Sequence, residues 1–193
     1  MSGGGVFPTS YQLEASFMLS FLLMDDINLV DSTGKRIGRI EKLEAHKMGK
    51  LHEAFSIFVI NSKGETLLQR RALHKYHSGG LWTNTCCSHP RVGEKIEEAV
   101  HRRLQEEMGF DCELKELYAF EYRAEGLANG LIEHEYDHVF IGRSEADGLK
   151  INPEEVHEYK WISFAELKKD ARAHPEKYTA WLNIILEAKT FSF

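Results

Sequence analysis

The stretch GGLWTNTCCSHPRVGE, at residues 79–94, concentrates side chains that can do chemistry. It places Cys86 and Cys87 side by side, with His89 two positions later. Thiolates and imidazoles bind transition metals, and a cysteine in a suitable environment is also a nucleophile. Three interpretations are therefore open: a metal site, a reactive thiol, or a tight turn in which the sulfur atoms have no role.

The segment LIEHEYDHVFIG, at residues 131–142, predicts a β-strand. Successive side chains of a strand point to opposite faces, so Glu133 and Glu135 share one face with Val139 and Ile141. Residues two apart on a strand are about 7 Å apart, and their carboxylates can converge on one cation. Without a cation or a shared proton, two buried carboxylates repel each other. The alternative is an edge strand whose acids both face water.

A third candidate lies on residues 93–109, where apolar residues recur at helical spacing before a final glycine. Arg103 and Glu107 fall about 20° either side of Ile96, within the predicted apolar face. A charged side chain that faces inward is costly unless it is paired or binds a ligand. The first possibility is an i,i+4 ion pair. Because a pair alone leaves carboxylate oxygens without partners, the pattern favours a role that faces a ligand.

Histidines and basic residues flank these segments. His46 and His52 precede the first long predicted strand, and with His89 they could complete a mixed nitrogen and oxygen metal site with the two glutamates. Basic residues near the same segments are suited to an anion such as a diphosphate, although each taken alone is typical of a protein surface. These basic residues are Lys42, Arg71, Lys75 and Arg103.

The remaining pattern predicts the elements that position these residues. AFSIFVINSKGETLLQRRA predicts a hairpin that turns at residues 61–64, and ELYAFEYRA and LIEHEYDHVFIG predict strands on either side of the loop EGLANG. EYKWI predicts a further strand, a capping box at residues 163–166 begins a helix, and residues 175–188 predict a last helix. The order predicts an α+β fold, with a mixed β-sheet sandwiched between helices.

The 193 residues predict one catalytic domain over 1–193, in which 1–25 form an N-terminal extension. The apolar residues 13–24 are too few to span a bilayer and have no basic leader, so we interpret them as a packing or dimer-contact segment. A net charge of −6 argues against nucleic acid or an anionic membrane as a partner. Three cysteines, an odd count of free thiols, fit a reducing cytoplasm.

Several motifs together resemble type I isopentenyl-diphosphate isomerases, a branch of the Nudix fold. The resemblance extends from about residue 42 to 181, and WTNTCCSHP is its most specific part, followed by HRRLQEEMGF and GLIEHEYDHVF. The Nudix box (Gly-x5-Glu-x7-Arg-Glu-U-x-Glu-Glu-x-Gly-U) is only partly present. Ser88 stands where its first glycine belongs, and Arg103 replaces a glutamate. The other motif positions match: Glu94, Arg102, Glu106, Glu107, Gly109 and Phe110.

The resemblance implies roles for individual residues. It implies five ligands of a six-coordinate divalent metal (Mg²⁺, Mn²⁺ or Zn²⁺): His46, His52, His89, Glu133 and Glu135. It implies a second Mg²⁺, which accompanies the substrate diphosphate, at Glu107 and the Cys87 carbonyl. It implies diphosphate binding by Lys42, Arg71, Lys75 and Arg103. Around the reacting carbons it implies Cys87, Tyr122, Glu135 and Trp181. His46 and His52 are one residue closer together than in the bacterial form of the family.

The expected function is interconversion of isopentenyl and dimethylallyl diphosphate in isoprenoid biosynthesis, by a monomer or weak dimer whose partner is a prenyl diphosphate. One alternative is a Nudix-type diphosphohydrolase, which gathers helix carboxylates around Mg²⁺. An arginine at position 103 removes one such carboxylate and adds a positive charge, which disfavours hydrolysis. The other alternative is a non-catalytic metal-binding module, which gives no role to Cys87 or Trp181.

Overall fold

The computed structural model describes residues 26–127 and 130–188. The strands in this part are β1 (Asp26–Val30), β2 (Arg36–Glu41), β3 (His52–Ile60), β4 (Glu65–Arg71), β5 (Trp82–Thr83), β6 (Cys86–Ser88), β7 (Leu114–Ala124), β8 (Glu133–Arg143) and β9 (Val156–Ser163). The helices are α1 (Lys42–Met48), α2 (Ile96–Met108), α3 (Phe164–Ala173), the 3₁₀ turn Pro175–Lys177, and α4 (Ala180–Glu187).

Strand β3 is the centre of a mixed sheet. All nine of its residues are buried, as expected of a strand that is covered on both faces. It pairs in parallel with β8, from His52 opposite Glu135 to Ile60 opposite Arg143, and antiparallel with β1, β4 and β6. Strands β7 and β9 extend the sheet beside β8 and β4. The parallel register brings two sequence-distant site segments side by side.

Two apolar cores cover the two faces of this sheet. Phe58 packs in a core with residues of α3 and α4, whereas its neighbours Ile57 and Val59 pack in a core with α2. Adjacent strand residues point to opposite faces, so one strand supplies both cores. The prediction of an α+β fold with a mixed sheet between helices is therefore confirmed.

Most predicted elements are present, with two differences at helix ends. The hairpin, the strands around residues 125–130 and the capped helix α3 are confirmed, with Ser163 Oγ accepting from the Glu166 N–H. Helix α2 begins at Ile96 rather than 93, because Gly93 has a φ of +84° and Lys95 is extended at the N-cap.

The predicted last helix at residues 175–188 is wrong in its first part. Tyr178 and Thr179 are extended there, because Tyr178 bridges to Trp82 and Thr179 N donates to the Trp82 carbonyl at 3.0 Å. The helix therefore begins at Ala180.

The predictions for residues 1–25, including the packing segment 13–24, lie outside the described residues. No helix in the described ranges is long and apolar enough to cross a membrane.

Candidate active site

Sheet pairing brings the strand that carries the cysteines and the strand that carries the glutamates to one place. In the parallel β3–β8 pairing, His52 lies opposite Glu135. In the antiparallel β3–β6 pairing, Ser56 lies opposite Cys87. Strand β3 is thus the shared neighbour of the strand that carries the thiol and of the strand that carries the carboxylates.

Three histidines and one glutamate form a tight cluster at this point. The ligand atoms of His46, His52, His89 and Glu135 all lie within 4.8 Å of one another. The shorter spacing between His46 and His52 does not separate them, since their ring centroids are 4.8 Å apart. Gly49 lies between the two histidines in the sequence and ends α1 in the left-handed conformation, at a φ of +60°. This turn directs the chain from the helix into β3.

Backbone carbonyls orient two of these imidazoles. Nδ1 of His46 lies 2.7 Å from the Lys42 carbonyl, and Nδ1 of His52 lies 2.8 Å from the Lys50 carbonyl. A carbonyl only accepts, so each Nδ1 carries the hydrogen and each Nε2 presents a lone pair. This is the second-shell arrangement typical of metal-binding histidines.

The buried polar atoms of the cluster fit a divalent cation. Glu133 is 2% exposed, and its Oε2 lies 3.5 Å from Nε2 of His46 without a hydrogen-bond partner. His52 Nε2 is also buried without a partner among the described residues. Unpaired buried polar atoms are costly, and imidazole nitrogens with carboxylate oxygens are a common donor set for divalent metals. The alternative in which both acids face water is wrong, because Glu135 is only 8% exposed.

The histidines also set the charge of Glu135. Burial alone would raise the pKa of this carboxyl, but the adjacent imidazoles of His52 and His89 hold it well below its usual value. The distance from His89 Nε2 to Glu135 Oε1 is 3.1 Å. Glu135 is therefore a carboxylate in the free site.

A cavity joins this cluster to the cysteine. It encloses about 480 Å³ of atom-free space, including its solvent-facing mouth. Its lining includes Cys87, Trp181, Glu133 and Glu135.

The two neighbouring cysteines face opposite sides of the sheet. Cys86 is fully buried in the core that contains α2, whereas Cys87 packs against the core on the other face, which contains Tyr122 and Trp181. Burial raises the pKa of the Cys87 thiol to about 12, although Arg71, whose Nη1 lies 3.8 Å from Sγ, opposes the shift. Cys86 is thus a packing residue, and Cys87 is a thiol at the cavity.

Two aromatic residues are held around the same space. The Tyr122 hydroxyl donates to Glu135 Oε2 at 2.6 Å. The Trp181 indole N–H donates to Thr83 Oγ1 at 2.8 Å, so the ring plane is fixed. The guanidinium of Arg71 lies 5.4 Å from the ring centroid of Trp181, within cation–π range.

The four basic residues predicted to hold an anion gather around the cavity and an adjoining groove. Lys42 and Lys75 line both spaces, Arg71 lines the first and Arg103 the second. Burial, together with repulsion from the other three cations, lowers the pKa of Lys42. This crowding of positive charge indicates an anion-binding site.

Arg103 and Glu107 form the ion pair that their helical spacing allowed. Nη2 of Arg103 lies 2.5 Å from Glu107 Oε1, and Gln69 donates to Glu107 Oε2 at 2.8 Å. Glu155 also contacts Arg103, at 3.1 Å, and pairs with Lys75. Both carboxylate oxygens of Glu107 therefore have partners in the free site.

Three residues of the site were missed from the sequence. Asp137 is buried on the same face as Glu135 and accepts from the Ser56 hydroxyl at 2.9 Å; the strand alternation that selected Glu133 and Glu135 also selects this residue. Glu155 and His77 lie in loops, and no periodicity marks them. Burial, followed by the nearby charge of Glu135, raises the pKa of Asp137 well above its usual value.

Comparison with known proteins identifies the family. Residues 50–182 match the NUDIX domain. The isopentenyl-diphosphate Delta-isomerase 2 of Photorhabdus laumondii is 52% identical over 87% of this chain and 94% of its own length. The protein of the same name from Aromatoleum aromaticum is 50% identical over 84% of this chain and 85% of its own length.

Solved structures agree on the fold. A crystal structure of a Deinococcus radiodurans protein has a TM-score of 0.71 at 17% identity and covers 86% of this chain and 99% of that chain. A MutT protein from Methanosarcina mazei has a TM-score of 0.58 at 22% identity, with 71% and 91% covered. These likenesses concern the fold, while the sequence relatives identify the branch. The chain belongs to the NUDIX domain family and, within it, to the isopentenyl-diphosphate Delta-isomerases.

Proposed function

We propose that this protein is an isomerase that interconverts isopentenyl diphosphate and dimethylallyl diphosphate in isoprenoid biosynthesis. The observation that carries the proposal is a single cavity lined by the Cys87 thiol and the Glu135 carboxylate. A 1,3 shift of hydrogen needs one group that gives a proton and another that takes one. The relatives named above support the same activity.

The reaction dictates what the cavity must provide. A proton is added to C4, the alkene electrons form the new C–H bond, and a tertiary carbocation develops at C3. Loss of a proton from C2 then forms the C2–C3 double bond. Water would trap the cation, so the reacting carbons must lie in a space that excludes it. Buried Tyr122 and Trp181, at 6% and 5% exposed, are suited to wall off that space.

In the proposed mechanism, Glu135 donates a proton to C4 with the help of Tyr122, and Cys87 removes the proton from C2. The lowered pKa of Glu135 and the raised pKa of Cys87 favour an ionised carboxylate and a protonated thiol, which is the state left by one turnover in this direction. From that state the reverse reaction begins directly, so the same two groups serve both directions. The face of Trp181 would stabilise the carbocation by about 2 kcal/mol when desolvated.

The diphosphate is proposed to bind to Lys42, Arg71, Lys75 and Arg103. Arg71 contributes a guanidinium whose Nε and Nη2 are held by the His77 carbonyl at 3.3 and 3.2 Å, close to both the thiol and the indole. Binding energy at the charged end then fixes the alkene between acid and base. Glu107 and the Cys87 carbonyl are proposed to hold a Mg²⁺ that accompanies the diphosphate.

The residues proposed to hold the resident divalent cation (Mg²⁺, Mn²⁺ or Zn²⁺) are His46, His52, His89, Glu133 and Glu135. When bound, the cation supplies positive charge that orients the Glu135 carboxyl and stabilises its ionised form. The donor set alone does not select among the three metals.

A diphosphohydrolase is the weaker candidate. Such enzymes gather several helix carboxylates around Mg²⁺ to activate water. Here Arg103 occupies one motif position and pairs with Glu106 and Glu107 at 2.7 and 2.5 Å. A guanidinium there suits phosphate binding better than metal binding.

We propose the cytoplasm as the location, because the three cysteines are free and such thiols suit a reducing compartment. A monomer or weak dimer remains our proposal for the oligomeric state. The proposed partner is a prenyl diphosphate, with neither nucleic acid nor membrane as a partner, as expected for an acidic chain.

Incubation of the purified protein with isopentenyl diphosphate in D₂O tests the function. The isomerase reading predicts deuterium in dimethylallyl diphosphate and no released phosphate, whereas phosphate or an alcohol product would indicate hydrolysis. The variant Glu135→Gln should lose turnover by at least about 10²-fold, because an amide neither donates nor accepts this proton. Near-normal turnover in that variant would remove Glu135 from the mechanism.

A further inference from the structure

His77 is a buried histidine beside the cation cluster for which the proposed mechanism has no role. It is 5% exposed and lies in the loop between β4 and β5. This loop is tightly wound: a side chain at Gly79 would lie 2.7 Å from the Lys75 carbonyl oxygen, and Gly80 has a φ of +77°. The backbone therefore holds His77 in a defined place over the cavity that it lines.

The ring of His77 points a nitrogen at a carboxylate without forming a hydrogen bond. Its Nε2 lies 2.9 Å from Glu133 Oε1, but the two are not aligned for a hydrogen bond, and this nitrogen has no other such partner among the described residues. Two donor atoms that bind one cation at about 2.1 Å, at right angles, are about 3 Å apart. The separation therefore matches two ligands of one ion.

The position of His77 relative to the cluster is consistent with this. Its ring centroid is 5.6 Å from that of His46, and the corresponding distance from His46 to His89 is 5.7 Å. Glu133 lies between, with Oε2 at 3.5 Å from His46 Nε2 and Oε1 beside His77. The ring of His77 is thus as close to the ring of His46 as the ring of His89 is, and it lies on the side of the cluster where Glu133 is located.

We propose that His77 is an additional nitrogen ligand of the cation site, binding through Nε2 on the Glu133 side. The inference rests on the proposed function, since it concerns the cation that the isomerase is proposed to hold. A fourth imidazole shifts the donor set toward nitrogen, which favours ions such as Zn²⁺ over Mg²⁺. The protein should therefore prefer a transition metal more strongly than the ligand set without His77 would.

The competing interpretation is that His77 only packs. Its ring is nearly parallel to that of Trp181, at 16° with centroids 5.7 Å apart, so it could simply support the indole. Such stacking against Trp181 requires a flat ring but does not require a ring nitrogen. It does not account for a buried Nε2 beside a carboxylate oxygen, which is costly unless something binds there.

Measurements of cation binding by the full chain distinguish the ligand interpretation of His77 from the packing interpretation. His77→Phe keeps a flat ring against Trp181 and removes the nitrogen, and His77→Ala removes both. The matched control is His74→Ala, which deletes an imidazole of the same loop that is 60% exposed and pairs with Glu154 at 3.4 Å. Affinities for Zn²⁺ and for Mg²⁺ are measured by competition with a chelating dye, and thermal unfolding checks that each variant is folded.

Loss of an outer-shell partner of a metal site costs about 10- to 100-fold in affinity, so loss of a ligand should weaken Zn²⁺ binding at least about tenfold. We expect this in folded His77→Phe and in His77→Ala, with a smaller loss for Mg²⁺ and none in His74→Ala. Wild-type Zn²⁺ affinity in folded His77→Phe would overturn the assignment and leave the proposed function intact. If the wild type binds no divalent cation, the proposed cation site fails together with this inference.

Discussion

The Tyr122 hydroxyl donates to Oε2 of Glu135 at 2.6 Å, while the other oxygen of the same carboxylate lies 3.1 Å from Nε2 of His89. One carboxylate is thereby shared between a buried phenol and an imidazole of the cation cluster. In the β7–β8 ladder Tyr122 is paired opposite Glu135, so the contact follows from strand register. The fold thus connects the proposed proton donor to the cation site.

Replacing Tyr122 with phenylalanine should slow turnover. The phenol is proposed to assist proton transfer, so we expect kcat to fall about 10²-fold, within the range of general acid catalysis. Cation affinity should stay unchanged, because Tyr122 is not a proposed ligand. Steady-state kinetics and dye competition measure the two effects, with Tyr159→Phe, at a 38% exposed position, as the control. An unchanged kcat would exclude an assisting role for the phenol.

Cation binding should stabilise the folded protein. The cluster brings buried donor atoms within 4.8 Å of one another, and a cation that binds only the folded state adds about 2.7 kcal/mol at one hundred times its Kd. The midpoint temperature of thermal unfolding should therefore rise when Zn²⁺ or Mn²⁺ is added and return to its initial value when a chelator is added. His46→Ala should lose most of the shift. An equal shift in that variant would place the cation elsewhere.

Arg71→Lys should impair both substrate binding and turnover. Arg71 donates to the His77 carbonyl through Nε and Nη2, while its Nη1 lies near Cys87 Sγ. A lysine at this position has a single nitrogen and cannot make all of these contacts. Loss of a charged hydrogen bond is worth about 1.5–3 kcal/mol, so kcat/KM should fall about 10- to 100-fold. Arg70→Lys is the control on the same strand, since Arg70 pairs with Glu158 at 2.8 Å, outside the cavity. Equal losses in the two variants would contradict the placement of Arg71.

Glu94 should stabilise the fold at neutral pH and not in acid. Burial raises the pKa of Glu94, but hydrogen bonds from Arg102, at 2.6 and 2.7 Å, outweigh this effect and lower the pKa below the usual value of 4.5. A depressed folded pKa means that the stabilisation is present above the unfolded value and is lost as pH falls through the folded one.

Glu94→Gln should therefore cost about 1 kcal/mol of unfolding free energy near neutral pH, and the difference from wild type should vanish below the folded pKa. Urea denaturation across that pH range measures it. Glu97→Gln, an exposed position in the first turn of α2, should change stability by less than about 0.5 kcal/mol. A difference for Glu94→Gln that persists or grows in acid would contradict the ion-pair explanation.

Local periodicity was enough to find much of the site. Alternation along β8 placed Glu133 and Glu135 on one face, and helical spacing placed Arg103 and Glu107 together; both arrangements are observed. The positions of three histidines beside the predicted strands suggested a mixed metal site, and the resemblance implied the same ligands; these histidines gather with Glu135. Residues that depend on short-range geometry were thus accessible from the sequence.

The remaining features depend on long-range pairing that no local pattern contains. His77 reaches Glu133 only because the β4–β5 loop lies beside the first residue of β8, and nothing in KYHSGG indicates where the ring points. The break before α4 arises in the same way, since Tyr178 bridges to Trp82 far away in the chain. The parallel β3–β8 pairing, which joins residues more than eighty positions apart, sets Glu135 opposite His52. Asp137, in contrast, lies on the face that the strand alternation already selects.

The most direct test of the proposed chemistry compares the two neighbouring cysteines. Cys87→Ala should lower the rate of isomerisation by at least about 10³-fold while isopentenyl diphosphate still binds, as measured by calorimetry, because only the group that takes the C2 proton is removed. Cys86→Ala should cost about 1 kcal/mol of stability through lost core packing and leave the rate nearly unchanged. Similar losses of rate in the two variants, or an active Cys87→Ala, would contradict a mechanism in which the thiol at the cavity and the Glu135 carboxyl act on one double bond.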